Sequence, residues 1–337
     1  MKKTSYLLFL LVFTVLLAAC QNENNGTVKG VENVDVVNHH NSIEGLESMI
    51  QFYDHVKNAT SSNLRIVHYT IEGDPLVTDL RYGDGFLEVK DDTTRDNFGN
   101  GAITTTMCGD LIEEVNPANT TYIAVDCEMP YPMQEILHIN YNLDQQDLFE
   151  FILHDGGNVE YTIDDLNMDA KQALYKKLVL ANYLADKEFT SSCDAQSSMN
   201  YELQVYINGG QCDYEWKACD HSADGVQFTE LANYIIEQSA KGQPDKQKAT
   251  VQGYIVEIKD EHMLIAENVT MLDYEWLKEE LPHIDFENYS VNFIMLENVE
   301  TANFKLGDKI LATIEGSRTD SKPGRAKVEE VKVINVR

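Results

Sequence analysis

Ala240-Lys241-Gly242-Gln243-Pro244-Asp245-Lys246-Gln247-Lys248 is the stretch on which the fold turns. Gly242 and Pro244 sit among amides and charges, no apolar period survives, and residues 241–249 therefore read as a linker. Beyond it the chain becomes β-rich. Residues 250–259, 263–266, 292–297, 309–315 and 327–336 are dense in Val, Ile, Leu and Thr and read as five short strands. Residues 273–281 form the helical stretch among them, which Pro282 stops. Five short strands with one inserted helix predict a small OB-like β-barrel over 250–337.

Upstream of the linker the pattern alternates between helix and hairpin, which predicts two α+β units, 38–121 and 122–240. Ile43, Leu46, Ile50, Tyr53 and Val56 recur at helical spacing, and Asn41 with Glu44 has capping-box spacing. A strand over 64–71 and a hairpin around Gly83-Asp84-Gly85 follow, so a helix on an antiparallel sheet is expected. In the second unit, residues 122–125 and 136–141 look extended. Hairpins are expected around Gly156-Gly157 and Asn208-Gly209-Gly210, with a long helix marked by Leu166, Ala170, Leu174 and Leu178 and a closing helix over 228–238. The fold class is thus α+β: helix-on-antiparallel-sheet units followed by the barrel.

The chain begins with Lys2 and Lys3, then an apolar run from Tyr6 to Ala19 that is the length of an export signal and short of a membrane span. It closes as Leu17-Ala18-Ala19-Cys20, which resembles the lipobox of bacterial lipoproteins. That resemblance implies that the Cys20 thiol receives a diacylglyceryl group, carrying palmitate-like chains, as a thioether and that the chain is then cut before Cys20. Two acyl chains anchor stably, each buried methylene contributing about 0.8 kcal/mol. Residues 1–19 then form a signal peptide and 20–37 a polar flexible tether. The expected location is the outer, extracytoplasmic face of the cell membrane.

The whole chain of 337 residues carries 26 basic and 56 acidic side chains, a net charge of −30, and removal of Lys2 and Lys3 makes it more acidic still. Such a surface repels nucleic acid and keeps a tethered protein soluble. With 43% hydrophobic residues the chain can bury real cores.

Ile66-Val67-His68-Tyr69-Thr70-Ile71-Glu72-Gly73-Asp74-Pro75, with Asp92, Arg95-Asp96, Phe98-Gly99 and Cys108, resembles an uncharacterised domain family of Gram-positive lipoproteins over about 30–128. Gly253, Leu264-Ile265, Leu306-Gly307-Asp308-Lys309 and Ser321-Lys322-Pro323 resemble the YobA-like lipoprotein domain, of OB-like fold and unknown function. Lys322 stands where that resemblance leads one to expect an aromatic. Neither family supplies a catalytic residue.

The most suggestive polar loop is Asp91-Asp92-Thr93-Thr94-Arg95-Asp96-Asn97-Phe98-Gly99. Asp91, Asp92 and Asp96 offer oxygen ligands for Ca²⁺, but the spacing departs from the EF-hand order and Arg95 places a cation inside the loop. A hydrogen-bonded turn with an Asp–Arg pair is the expectation, and no cofactor is expected. His39-His40 would point oppositely on an extended chain and make a poor metal pair.

With Cys20 lipidated, Cys108, Cys127, Cys193, Cys212 and Cys219 remain, an odd number. Cys212 and Cys219 on one strand would lie roughly 23 Å apart, beyond disulfide reach. Cys193 with Cys219 and Cys108 with Cys127 are the candidate pairs. Tyr201, Tyr206, Tyr214 and Trp216 lie on expected strands and either form a binding face or pack a sheet against a helix. No phosphate loop, GxSxG elbow or HExxH occurs. The expected role is a lipid-anchored binding or interaction module at the cell envelope, with an unidentified protein or wall component as partner. An envelope-directed hydrolase and a Ca²⁺-binding protein are the competing classes.

Overall fold

The computed structural model describes residues 30–39, 42–157, 159–190, 199–241, 249–286 and 289–336. The expected signal peptide, most of the tether with Cys20, His40, Cys193 and most of the linker lie outside the described residues. The chain divides into two compact units: Met1–Leu46 with Tyr141–Pro244, and Glu47–Asn140 with Asp245–Arg337. The architecture is α+β.

Strand β1 (Val36–His39) pairs antiparallel with β2 (Ser42–Glu44), and helix α1 (Leu46–Lys57) follows. Ile43 therefore belongs to a strand, not to the helical stripe expected from the sequence. Gly45 separates the two at φ +72°, with an ideal Cβ only 2.0 Å from the Asp35 carbonyl oxygen. No other residue type fits that approach. The buried face of α1 is Leu46, Met49, Phe52 and Val56, while Ile50 is 46% exposed, so the stripe is rotated relative to expectation.

Next comes a meander of β3 (Ser62–Tyr69), β4 (Pro75–Gly83), β5 (Phe86–Asp92) and β6 (Ile103–Cys108). The β4–β5 hairpin closes through the two-residue Asp84-Gly85 turn, since Gly83 pairs with Phe86. A second sheet contains β7 (Asp110–Val115), β8 (Asn119–Val125) and β9 (Met133–Asn140) in that order. Cys108 at the end of β6 and Cys127 after β8 are joined by a disulfide. The expected boundary at 121/122 is corrected: β8 runs unbroken across it, paired with β7 on one side and β9 on the other.

The unit containing Tyr141–Pro244 has β10 (Phe149–His154), β11 (Glu160–Thr162), α2 (Met168–Leu180), β12 (Asn200–Ile207), β13 (Gly210–Lys217) and α3 (Ala223–Ala240). Its sheet runs β11-β10-β12-β13, and Asn208-Gly209 closes the last hairpin. Tyr201, Tyr214 and Trp216 share one core with Phe228 and Leu174 from the helices. Trp216 Nε1–H donates to Thr229 Oγ1 at 3.0 Å and the Tyr214 hydroxyl donates to the Tyr183 carbonyl, so the polar ends of these buried aromatics are satisfied. They pack the sheet against helices.

The final strands, β14 (Thr250–Lys259), β15 (His262–Glu267), β16 (Phe293–Glu297), β17 (Lys309–Ile314) and β18 (Gly324–Val333), close in the order β14-β15-β16-β18-β17. The β16–β18 pairing is parallel and the others antiparallel. Helix α4 (Met271–Glu280) connects β15 to β16, and its last turn continues through a 3₁₀ segment containing Pro282. Ile255, Ile265, Leu296 and Ile310 fill the interior, while Tyr254, Val256, Leu264 and Phe293 pack outward under Leu277 of α4. β14 is thereby buried on both faces over residues 253–256. At Gly253 an ideal Cβ would lie 2.2 Å from the Ala266 carbonyl oxygen of β15. Gly253→Ala is expected to destabilise the protein by about 1–3 kcal/mol, the usual range for overpacking, read as a lower urea midpoint.

Candidate functional site

The barrel carries a cleft of about 200 Å³ between its β17–β18 loop and the segment entering β16. Its apolar side includes Phe286, Val291 and Phe293, and its polar side includes Arg318, Asp320, Ser321 and Lys322. The loop is held by its own hydrogen bonds. Thr319 N–H donates to the Arg325 carbonyl at 2.9 Å, and Arg325 N–H returns to Thr319 Oγ1 at 2.9 Å. The Ser321 hydroxyl donates to the Pro323 carbonyl at 2.8 Å. A polar rim built this way needs little ordering when a ligand arrives.

Charge is distributed unevenly here. In a chain of net charge −30, Arg318, Lys322, Arg325 and Lys327 fall within one loop and strand start, against Glu315 and Asp320. Arg318 is fixed by Glu267, Nη1 to Oε2 at 2.6 Å, and Arg325 by Glu297 at 3.1 Å. Phe286 and Phe293 meet edge to face with centroids 5.0 Å apart, and Tyr289 lies 6.1 Å from Phe293. Tyr289 in turn stacks on Trp276 of α4, with centroids 6.3 Å apart and 22° between planes.

Helix α4 is positioned from below by a buried carboxylate. Glu114 of β7 accepts from Lys309 Nζ at 2.6 Å and from the Tyr254 hydroxyl at 2.8 Å through Oε1, and from Met271 N–H at 2.7 Å through Oε2. The Lys309 and Glu114 side chains are 2% and 0% exposed. Burial pushes the Lys309 ammonium down from its ordinary pKa while Glu114 pulls it back up, and the Tyr254 hydroxyl is driven up by burial and by Glu114. Asn119 Nδ2 donates to the Asn268 carbonyl at 3.0 Å, and Gln252 Nε2 to the Val115 carbonyl at 3.0 Å. Ile112, Ile123 and Val125 pack with Met271 and Leu272. The β7–β9 sheet and the barrel, expected as parts of separate domains, thus share one interface inside one compact unit.

The acidic loop resolves into separate pairs. Asp91 accepts from the Thr78 hydroxyl at 2.7 Å and from Gln134 Nε2 at 2.6 Å. Asp92 accepts from Thr94 N–H and its hydroxyl and pairs with Arg95 at 2.7 Å. Those Thr94 hydrogen bonds, with Arg95 behind them, hold the Asp92 carboxyl at about 2. Asp96 accepts from Phe98 N–H at 2.9 Å. Among the described residues no group of three His, Cys, Asp or Glu side chains is placed to hold a metal ion. Cys212 and Cys219 are both disulfide-bonded, as are Cys108 and Cys127.

Glu114, Arg318 and Trp276 were not legible as site residues in the sequence. Trp276 offered one signal: it falls off the Tyr254-facing stripe of Met271, Tyr274 and Leu277 and is 59% exposed.

The sequence model of a domain of unknown function, DUF4362, matches residues 33–123, and that of a protein family of unknown function, DUF3221, matches residues 252–335. No curated protein matches the chain. A crystal structure of a YobA protein from Bacillus subtilis subsp. subtilis str. 168 is 17% identical over 27% of this chain and 98% of its own, with TM-score 0.21. The solution structure of Bacillus subtilis YobA 21–120 is 18% identical over 28% of this chain and 88% of its own, with TM-score 0.20.

Removing one partner of the buried pair strands the other. Glu114→Gln or Lys309→Met alone should each cost about 3–5 kcal/mol in urea unfolding, and the double variant should cost less than the two losses added. Asp92 carries a depressed pKa, so its contribution to stability is complete above the ordinary carboxylate value and is lost as pH falls through about 2. Melting temperatures of Asp92→Asn and the native chain should therefore converge as pH drops from 4 to 2.

Proposed function

We propose that the protein is a lipid-anchored binding protein on the extracytoplasmic face of the membrane, and that the barrel cleft is its ligand site. The observation carrying this reading is the cleft itself: an apolar wall facing a hydrogen-bonded rim that carries Arg318 and Lys322 beside Asp320 on an otherwise acidic chain. Such a site selects ligands that combine an apolar surface with negative charge. The anchor rests on the sequence ending Leu17-Ala18-Ala19-Cys20, which offers a thiol after small residues at the close of an apolar run. The acidic surface holds the folded part off anionic headgroups, so the ligand is sought in the envelope beyond the lipid.

Two measurements test this. Metabolic labelling with a palmitate analogue should mark the native chain and not Cys20→Ala, which should leave the membrane fraction; equal membrane retention of Cys20→Ala overturns the anchor. The chain from residue 21, which keeps every described residue, should co-sediment with insoluble envelope material. Arg318→Gln with Lys322→Gln should reduce that retention roughly tenfold, the loss of about 1.4 kcal/mol of binding.

A further inference from the structure

We propose that Trp276 and the barrel cleft form one saccharide site, in which a sugar ring stacks on Trp276 and a carboxylate substituent of the same strand meets Arg318 and Lys322. This deepens the reading of the cleft as a ligand site and rests on it. Trp276 lies on α4 with 59% of its surface exposed, yet its ring is not loose. It lies nearly parallel to Tyr289, Tyr289 packs on Phe293, and Phe293 lines the cleft wall beside Phe286. A row of four rings thus runs from an exposed indole on the helix into the cleft that faces Arg318 and Lys322.

Each part of that row has a distinct chemical partner. An exposed, orientation-fixed indole offers a flat apolar face with a negative quadrupole, suited to the C–H face of a pyranose. The hydroxyl rim at Ser321 offers hydrogen bonds, and the guanidinium of Arg318 pairs with planar oxyanions. The cleft is built from the loop between the last two strands and from the third strand, where five-stranded barrels of this topology take oligosaccharides or oligonucleotides. The net charge of −30 disfavours the second, because a polyphosphate would meet the repulsion of the whole surface. A saccharide with isolated carboxylates meets the local cations with far less of that repulsion.

The chain contains two tryptophans, and Trp216 is buried in the other compact unit, so a fluorescence change on ligand addition reports Trp276. The probes are a hyaluronan hexasaccharide, which carries carboxylates, and chitohexaose, which does not. The chain from residue 21 should show a saturable shift with the hyaluronan probe, and at least tenfold weaker binding with chitohexaose. Trp276→Ala should abolish the shift and weaken binding by calorimetry about tenfold, and Lys322→Gln should weaken the hyaluronan probe while leaving chitohexaose unchanged. No response to either sugar, or equal calorimetric affinity in Trp276→Ala, overturns the proposal. Equal affinity for the two sugars overturns the carboxylate contact. If envelope retention persists and depends on Arg318 and Lys322 while both sugars fail, the cleft reading stands and the saccharide assignment falls.

Discussion

A carboxylate cut off from water stays charged only if its surroundings supply what water did. Glu114 obtains three donors, an ammonium, a phenol and a backbone N–H, from three different elements of the barrel and its helix. The geometry is demanding: each donor must arrive within hydrogen-bond reach at once, so the carboxylate fixes the barrel and α4 against the β7–β9 sheet. The apolar contacts of Ile112, Ile123 and Val125 with Met271 and Leu272 contribute area, but they would tolerate sliding. Glu114 fixes the register, and through α4 it fixes where Trp276 and the cleft wall stand.

Local chemistry was readable and distant chemistry was not. The Asp84-Gly85 and Asn208-Gly209 hairpins announce themselves because the turn residues carry the required backbone freedom within two positions. The barrel was legible from strand spacing and from the Pro282 stop. β6 and β7 carry little apolar patterning, since Thr104-Thr105-Thr106 is polar and Glu113-Glu114 is charged, although Glu114 is buried. With β7 unrecognised, β8 lost its partner, and the boundary was drawn through the middle of a strand.

The acidic loop shows the same limit in reverse. Asp91, Asp92 and Asp96 look like a ligand set in one dimension, whereas in space Thr78, Gln134, Thr94, Arg95 and the Phe98 N–H claim them separately. The expectation of an Asp–Arg turn came from Arg95, a residue near in sequence, and it matches the structure. Gln134 lies 43 positions from Asp91 and left no local trace.

Glu114 and Lys309 are separated by 195 positions, with the Tyr141–Pro244 segment of the other compact unit between them. A ribosome working at about 5–20 residues per second takes roughly 10–40 s to cross that interval. Before that interval is crossed, both segments of the other unit, Met1–Leu46 and Tyr141–Pro244, are complete in sequence and Glu114 still lacks Lys309. The two units alternate along the chain, so synthesis completes the sequence of the one holding Tyr141–Pro244 first, and the Glu114 contacts can close only after the last strands are made.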